Sequence, residues 1–149
     1  MPAEDNKAAV RRFYEAVING QQLDVIDELV AADAVDHTFG SQGVDVTRQF
    51  FGMLYQAFPD IHVEVHDVLA EGELAAARVT YTGTHQGEFV GIPATGRRTQ
   101  VSGVDFFRME GGKQAEHWGG PDMFSFLQQL GVMPGPGTPG PGTPRVTPD

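Results

Sequence analysis

In IHVEVHDVLAEGELAAARVTYTGTHQG, residues 61–87, the apolar Ile61, Val63 and Val65 alternate with His62, Glu64 and His66. Period-two alternation is the signature of a strand with one buried and one wet face. Glu71-Gly72-Glu73 then forms a tight turn, and Leu74 to Gly87 returns as a second long strand. The segment is therefore a hairpin, and a hairpin needs further strands or helices against its apolar face.

Those partners lie on both sides. C-terminally, after the break at Gly91-Ile92-Pro93-Ala94-Thr95-Gly96, a third strand is predicted from Arg97 to Met109. Gly111-Gly112 turns it into a fourth, Lys113 to Gly119. Pro121 begins a short terminal helix, Asp122 to Leu130, closed by Gly131. N-terminally, Asp5 is placed to cap a helix whose apolar positions Ala9, Val10, Phe13, Tyr14 and Val17 recur at helical spacing, with Asn19-Gly20 ending it. A second helix is predicted from Leu23 to Ala31, followed by a short strand from Ala34 to Thr38. Val46, Phe50, Leu54 and Phe58 mark a third helix, stopped by Pro59, with Phe51 and Tyr55 widening its aromatic stripe. Helices first and antiparallel strands after them make an α+β layout.

The chain has 149 residues, 40% of them apolar, enough for one domain that buries roughly two-thirds of the surface its unfolded form exposes. That domain is predicted over residues 1–132. The remainder, 133–149, repeats Pro-Gly-Pro-Gly-Thr and is predicted as a flexible tail, since such composition buries no apolar surface. A formal charge of −10 repels phosphate backbones and anionic headgroups, so neither nucleic acid nor membrane is an expected partner. The absence of cysteine excludes disulfides, thiolate nucleophiles and sulfur-ligated metals. The first residues lack the charged-then-apolar order of a signal peptide, and a cytoplasmic location is expected.

Several local strings, in this order and spacing, resemble the SnoaL-like polyketide cyclases of the nuclear-transport-factor-2-like superfamily. They are Val10-Arg11-Arg12-Phe13-Tyr14, Val35-Asp36-His37, Phe58-Pro59-Asp60-Ile61, the glycine-rich run from Gly83 to Phe89 with Gly91 to Gly96, and Glu116-His117-Trp118 with Leu127 to Gly131. The resemblance covers nearly all of residues 7–131. It implies a strongly curved antiparallel sheet that forms, with the N-terminal helices, a cone-shaped pocket open at one end. It also implies a homodimer and a small apolar organic ligand or polyketide intermediate as partner. In such cyclases a ring closes by intramolecular aldol addition, with no cofactor and no metal. Their acid–base aspartate sits on the last strand two residues after a histidine, which here is Gly119.

Strand periodicity indicates what takes its place. His117 and Gly119 share one face of the last strand, and Gly103, Asp105 and Phe107 share one face of its neighbour. With both faces inward, Asp105 meets His117. A histidine beside a carboxylate is suited to proton transfer near neutral pH, and the same pair also serves as a buried hydrogen bond that fixes strand register. Asp122 is a candidate substitute acid, or simply the acid that starts the last helix. From positional resemblance His37 is a candidate donor to a ligand carbonyl, or a surface residue. His85 is a candidate cover for the pocket entrance, or an edge-strand histidine. Phe50, Leu54 and Phe107 are candidates for the apolar wall. His62 and His66 flank Glu64 on one strand face, but that face is expected to meet solvent or a second copy, not a metal.

Two functions follow. One is a cofactor-free cyclase or isomerase working by acid–base chemistry on an apolar, carbonyl-bearing, polyketide-like substrate. The other is a non-catalytic small-molecule binder or accessory protein that keeps the pocket without the usual aspartate.

Overall fold

The computed structural model describes residues 2–134, so most of the tail assigned to 133–149 lies outside the described residues. The chain opens with α1 (Ala3–Phe13), which widens into a looser π-helical stretch over Tyr14–Asn19. Pro2 precedes the helix, and Asp5 lies within its first turn, where its charge favours the helix dipole instead of capping it. Asn19 fixes the far end: its Oδ1 accepts from the Val63 N–H at 2.7 Å and its Nδ2 donates to the Val63 carbonyl at 3.0 Å.

A single turn over Leu23–Val25 leads into α2 (Ile26–Leu29), which is shorter than its apolar pattern suggests. Val30 is already extended and begins β1 (Val30–Asp36), because pairing with Gln114 across the sheet competes with the helix. β2 (Ser41–Gln42) and α3 (Val44–Ala57) follow, then β3 (His62–Glu71), β4 (Leu74–Thr84), β5 (Arg98–Glu110), β6 (Lys113–Pro121) and α4 (Met123–Gln129).

The six strands form one curved sheet in the order β2-β1-β6-β5-β4-β3. The sheet is mixed. β3 to β6 run antiparallel as expected, but β1 lies parallel to β6. A parallel neighbour requires a long crossover, and α3 with β3, β4 and β5 supplies it.

Along β5, Thr99, Val101, Gly103, Asp105, Phe107 and Met109 point inward, while Val104 and Phe106 point out. Val10, Phe13, Tyr14 and Val17 of the first helix pack with Val63, Val79 and Phe107 of the sheet in one core cluster. A second cluster, holding Phe58, Phe89, Val101 and Phe126, seats α4. No helix among the described residues is long and apolar enough to cross a membrane.

Candidate functional site

Between the concave sheet face and the helices lies a cavity of about 430 Å³. Its wall is mostly apolar, with Phe13, Phe50, Leu54 and Phe107 contributing. Polar side chains converge on one side, where β1, β4, β5 and β6 supply Asp36, Tyr81, Asp105 and His117. An apolar cavity with a few convergent polar groups is the usual form of a small-molecule site.

Register explains the convergence. His117 sits opposite Phe107, and Asp105 sits opposite Gly119 one inward step along. The diagonal places His117 Nε2 2.7 Å from Asp105 Oδ1. On the other side His117 is the parallel-ladder partner of Asp36, and its Nδ1 lies 3.1 Å from Asp36 Oδ2. Asp36 Oδ1 in turn accepts from the backbone N–H groups of Thr38 and Phe39. Asp105 Oδ2 accepts from the hydroxyls of Tyr14, at 2.5 Å, and Tyr81, at 2.9 Å. Tyr81 reaches it by lying across Gly103, where a Cβ would stand 2.7 Å from the tyrosine ring.

These contacts set the charges. Burial alone would lower the His117 pKa, but hydrogen bonds and charge from Asp105 and Asp36 outweigh it and raise the value to about 9. At neutral pH the ring is therefore an imidazolium donating from both nitrogens to carboxylates. Burial opposes ionisation of Asp36, yet its bond to His117 holds its carboxyl below the ordinary value. Burial, reinforced by the Asp105 charge, drives the hydroxyls of Tyr14 and Tyr81 far above their ordinary range, so both remain donors.

Gly119 and Gly120 also line the cavity. Gly119 has φ +94°, and a Cβ there would lie 2.2 Å from the Val104 carbonyl oxygen. The position is therefore a backbone feature that only glycine adopts readily.

Of the residues singled out in the sequence, Asp105, His117, Phe107, Phe50 and Leu54 all line the cavity. Three others are not brought to its wall. His37 stacks on Trp118, with centroids 4.6 Å apart, and bonds Glu116, because it directly follows the inward-facing Asp36 that ends β1 and points to the opposite side. His85 is fully buried against Phe58 and accepts from the Thr95 N–H, since the loop after β4 folds over it. Asp122 caps α4 by accepting from the Ser125 N–H at 3.1 Å. Among the described residues no group of acidic and histidine side chains has the arrangement of a metal site, and His66 bonds Thr80.

Sequence reasoning missed Asp36, Tyr14, Tyr81 and Gln114. Tyr14 is indistinguishable from its core neighbours in the helical stripe. Asp36 adjoins His37, and strand alternation sends one in and the other out, a choice the sequence leaves open.

The chain belongs to the SnoaL-like polyketide cyclase family, whose model matches residues 8–130. It is 31% identical over 127 residues to the aklanonic acid methyl ester cyclase DnrD of Streptomyces peucetius, covering 82% of this chain and 88% of that one. The corresponding cyclase DauD of Streptomyces sp. strain C5 is likewise 31% identical, over 82% of this chain and 79% of its own length. Among solved structures, AclR of Streptomyces galilaeus superposes with a TM-score of 0.79 at 31% identity, over 91% of this chain and 86% of AclR. TsrD of Streptomyces laurentii gives 0.81 at 26% identity, over 89% and 99%.

Proposed function

We propose that this protein is a cofactor-free polyketide cyclase that closes a ring by acid–base chemistry, with Asp105 in the role that relatives assign to an aspartate on the last strand. The observation that carries this reading is the bonding of Asp105. A carboxylate offers about four acceptor positions, and His117, Tyr14 and Tyr81 occupy three of them. That leaves one for a ligand to reach from the cavity, where Asp105 contributes to the wall although only 3% of it is exposed.

In this mechanism the Asp105 carboxylate takes a proton from a carbon flanked by carbonyls, and the C–H electron pair becomes an enolate. The enolate carbon attacks a second carbonyl of the same molecule, forming the ring bond and leaving an alkoxide. Asp105 returns its proton to that alkoxide, so no atom is gained or lost. His117, held by Asp36, keeps a positive charge beside the developing anions, and Tyr81 offers a hydroxyl donor in a water-poor wall.

The substrate is an apolar polycyclic polyketide intermediate bearing adjacent carbonyls, comparable to that of the aklanonic acid methyl ester cyclases. The protein works in the cytoplasm as a homodimer, paired through the outer sheet face where Val104 and Phe106 are exposed. Aklanonic acid methyl ester is the first compound to test, with chromatography to resolve the product of equal mass. Asp105→Asn should cut turnover by at least about a hundredfold while the protein still folds. Undiminished turnover in that variant refutes the role of Asp105.

Gly119 supports a second reading, a binder without catalysis. It predicts that the parent protein retains such compounds unchanged.

A further inference from the structure

The side chain of Gln114 is the feature of the cavity that the acid–base cluster leaves unexplained. Gln114 is only 6% exposed, and its Nε2 finds no hydrogen-bond partner. Among the described residues two other buried side chains carry an unpartnered polar atom, Asn6 and His85, and neither lines the cavity. Gln114 does.

Its direction follows from an irregularity in β6. Arg108 pairs with Glu116 and Met109 pairs with Gln114, so Ala115 is an extra residue bulged out of the ladder. Without the bulge Gln114 would share the outward face of Glu116; the extra residue turns it inward beside His117. The adjoining wall is apolar, with Phe13, Val30 and Phe107. An amide donor buried there without a partner is costly, because it has lost water and gained nothing.

We propose that Gln114 is a specificity residue whose amide N–H reads a hydrogen-bond acceptor on the ligand, a carbonyl or ester oxygen remote from the reacting carbons. His117 and Gln114 sit opposite Phe107 and Met109, two residues apart on β5, so the acceptor lies roughly 7 Å from His117 along the strand direction. The inference rests on the reading that a ligand enters the cone, but not on turnover. It selects polycyclic ligands carrying a second oxygen at that spacing over hydrocarbons of the same shape.

The probes are fluorenone and fluorene, tricyclic and closely matched in shape, of which only fluorenone carries an acceptor. Binding is read from quenching of Trp118 fluorescence or by calorimetry. The parent should prefer fluorenone, and Gln114→Met should lose about tenfold of that preference, equivalent to about 1.4 kcal/mol, while binding fluorene unchanged. Gln114→Glu keeps the size but replaces the donor with an acceptor, and it too should lose the preference. Gln114→Met should melt no lower than the parent, since it removes a donor that has no partner.

Preference retained in Gln114→Met overturns the proposal. So does a melting temperature that falls by many degrees, which would mean that the amide is already paired within the protein. Asp105→Asn separates this inference from the cyclase reading: it should retain the fluorenone preference, whatever becomes of turnover.

Discussion

Raising the pH should strip from His117 the proton that it holds between two carboxylates, and the loss can be followed as stability. In the folded protein its pKa is raised from 6.5 to about 9: burial opposes the charge, and the bonds to Asp105 and Asp36 more than reverse that opposition. In the unfolded chain the ring titrates at about 6.5. Below that pH both states are protonated, and the full stabilisation is present. Between the two values only the folded state keeps the proton, so each pH unit removes about 1.4 kcal/mol. Close to 3 kcal/mol of the stability linked to the His117 proton is therefore lost by about pH 9. Urea unfolding followed by Trp118, the only tryptophan, measures it at about pH 6, 7.5 and 9. His117→Gln, measured in parallel, removes the contribution of every other titrating group by difference. The stability gap between parent and variant should shrink by about 3 kcal/mol across the series. A gap that stays constant, or a His117 ring resonance that titrates near 6.5, refutes the cluster.

Gly119→Asp, which places an acid where the family resemblance implies one, should not rescue or raise activity. At φ +94° with the Val104 oxygen 2.2 Å from the new Cβ, it should destabilise the fold by at least about 2 kcal/mol, read as a lower melting temperature. Tyr14→Phe removes one donor from Asp105 without touching the cavity wall. It should lower kcat and leave KM unchanged, with a stability loss of about 1–2 kcal/mol; a change confined to KM would contradict the positioning role. At the acid end, Asp36 should stop contributing as pH falls through its lowered carboxyl pKa, because its bond to His117 overcomes the burial that favours the neutral form. Asp36→Asn should accordingly bring the His117 pKa down toward 6.5, measured by ring titration.

Much of the architecture was legible because it rests on local periodicity. The alternation in β3 and β5 and the helical stripes of α1 and α3 are written in neighbouring residues, and so is the turn at Gly72. The same periodicity grouped Asp105 with Phe107 and His117 with Gly119 on shared faces, and the fold turns both faces inward, where the register of β5 with β6 brings Asp105 and His117 within 2.7 Å. Errors arose where distant segments decide. The helix predicted through Ala31 gives way at Val30 to pairing with Gln114, and β1 runs parallel to β6 because of where the chain arrives, not because of its composition. His37 and His85 bond neighbours away from the cavity, and of the two readings of Asp122 the structure matches the acid that starts the last helix.

Most of the helices and strands, the absence of cysteine chemistry, the family, and which residues share a face of β5 could be read from residue types and spacings along the chain. Only the tertiary structure decided that Asp36 and two tyrosines 67 positions apart in sequence close around Asp105 and His117. It also decided that a bulge at Ala115 turns Gln114 inward, and that Gly119 owes its identity to a close backbone approach. The physical reason is common to all three. Register, bulges and the seating of a helix on a sheet are fixed by contacts between segments far apart in the chain, and no local pattern specifies them.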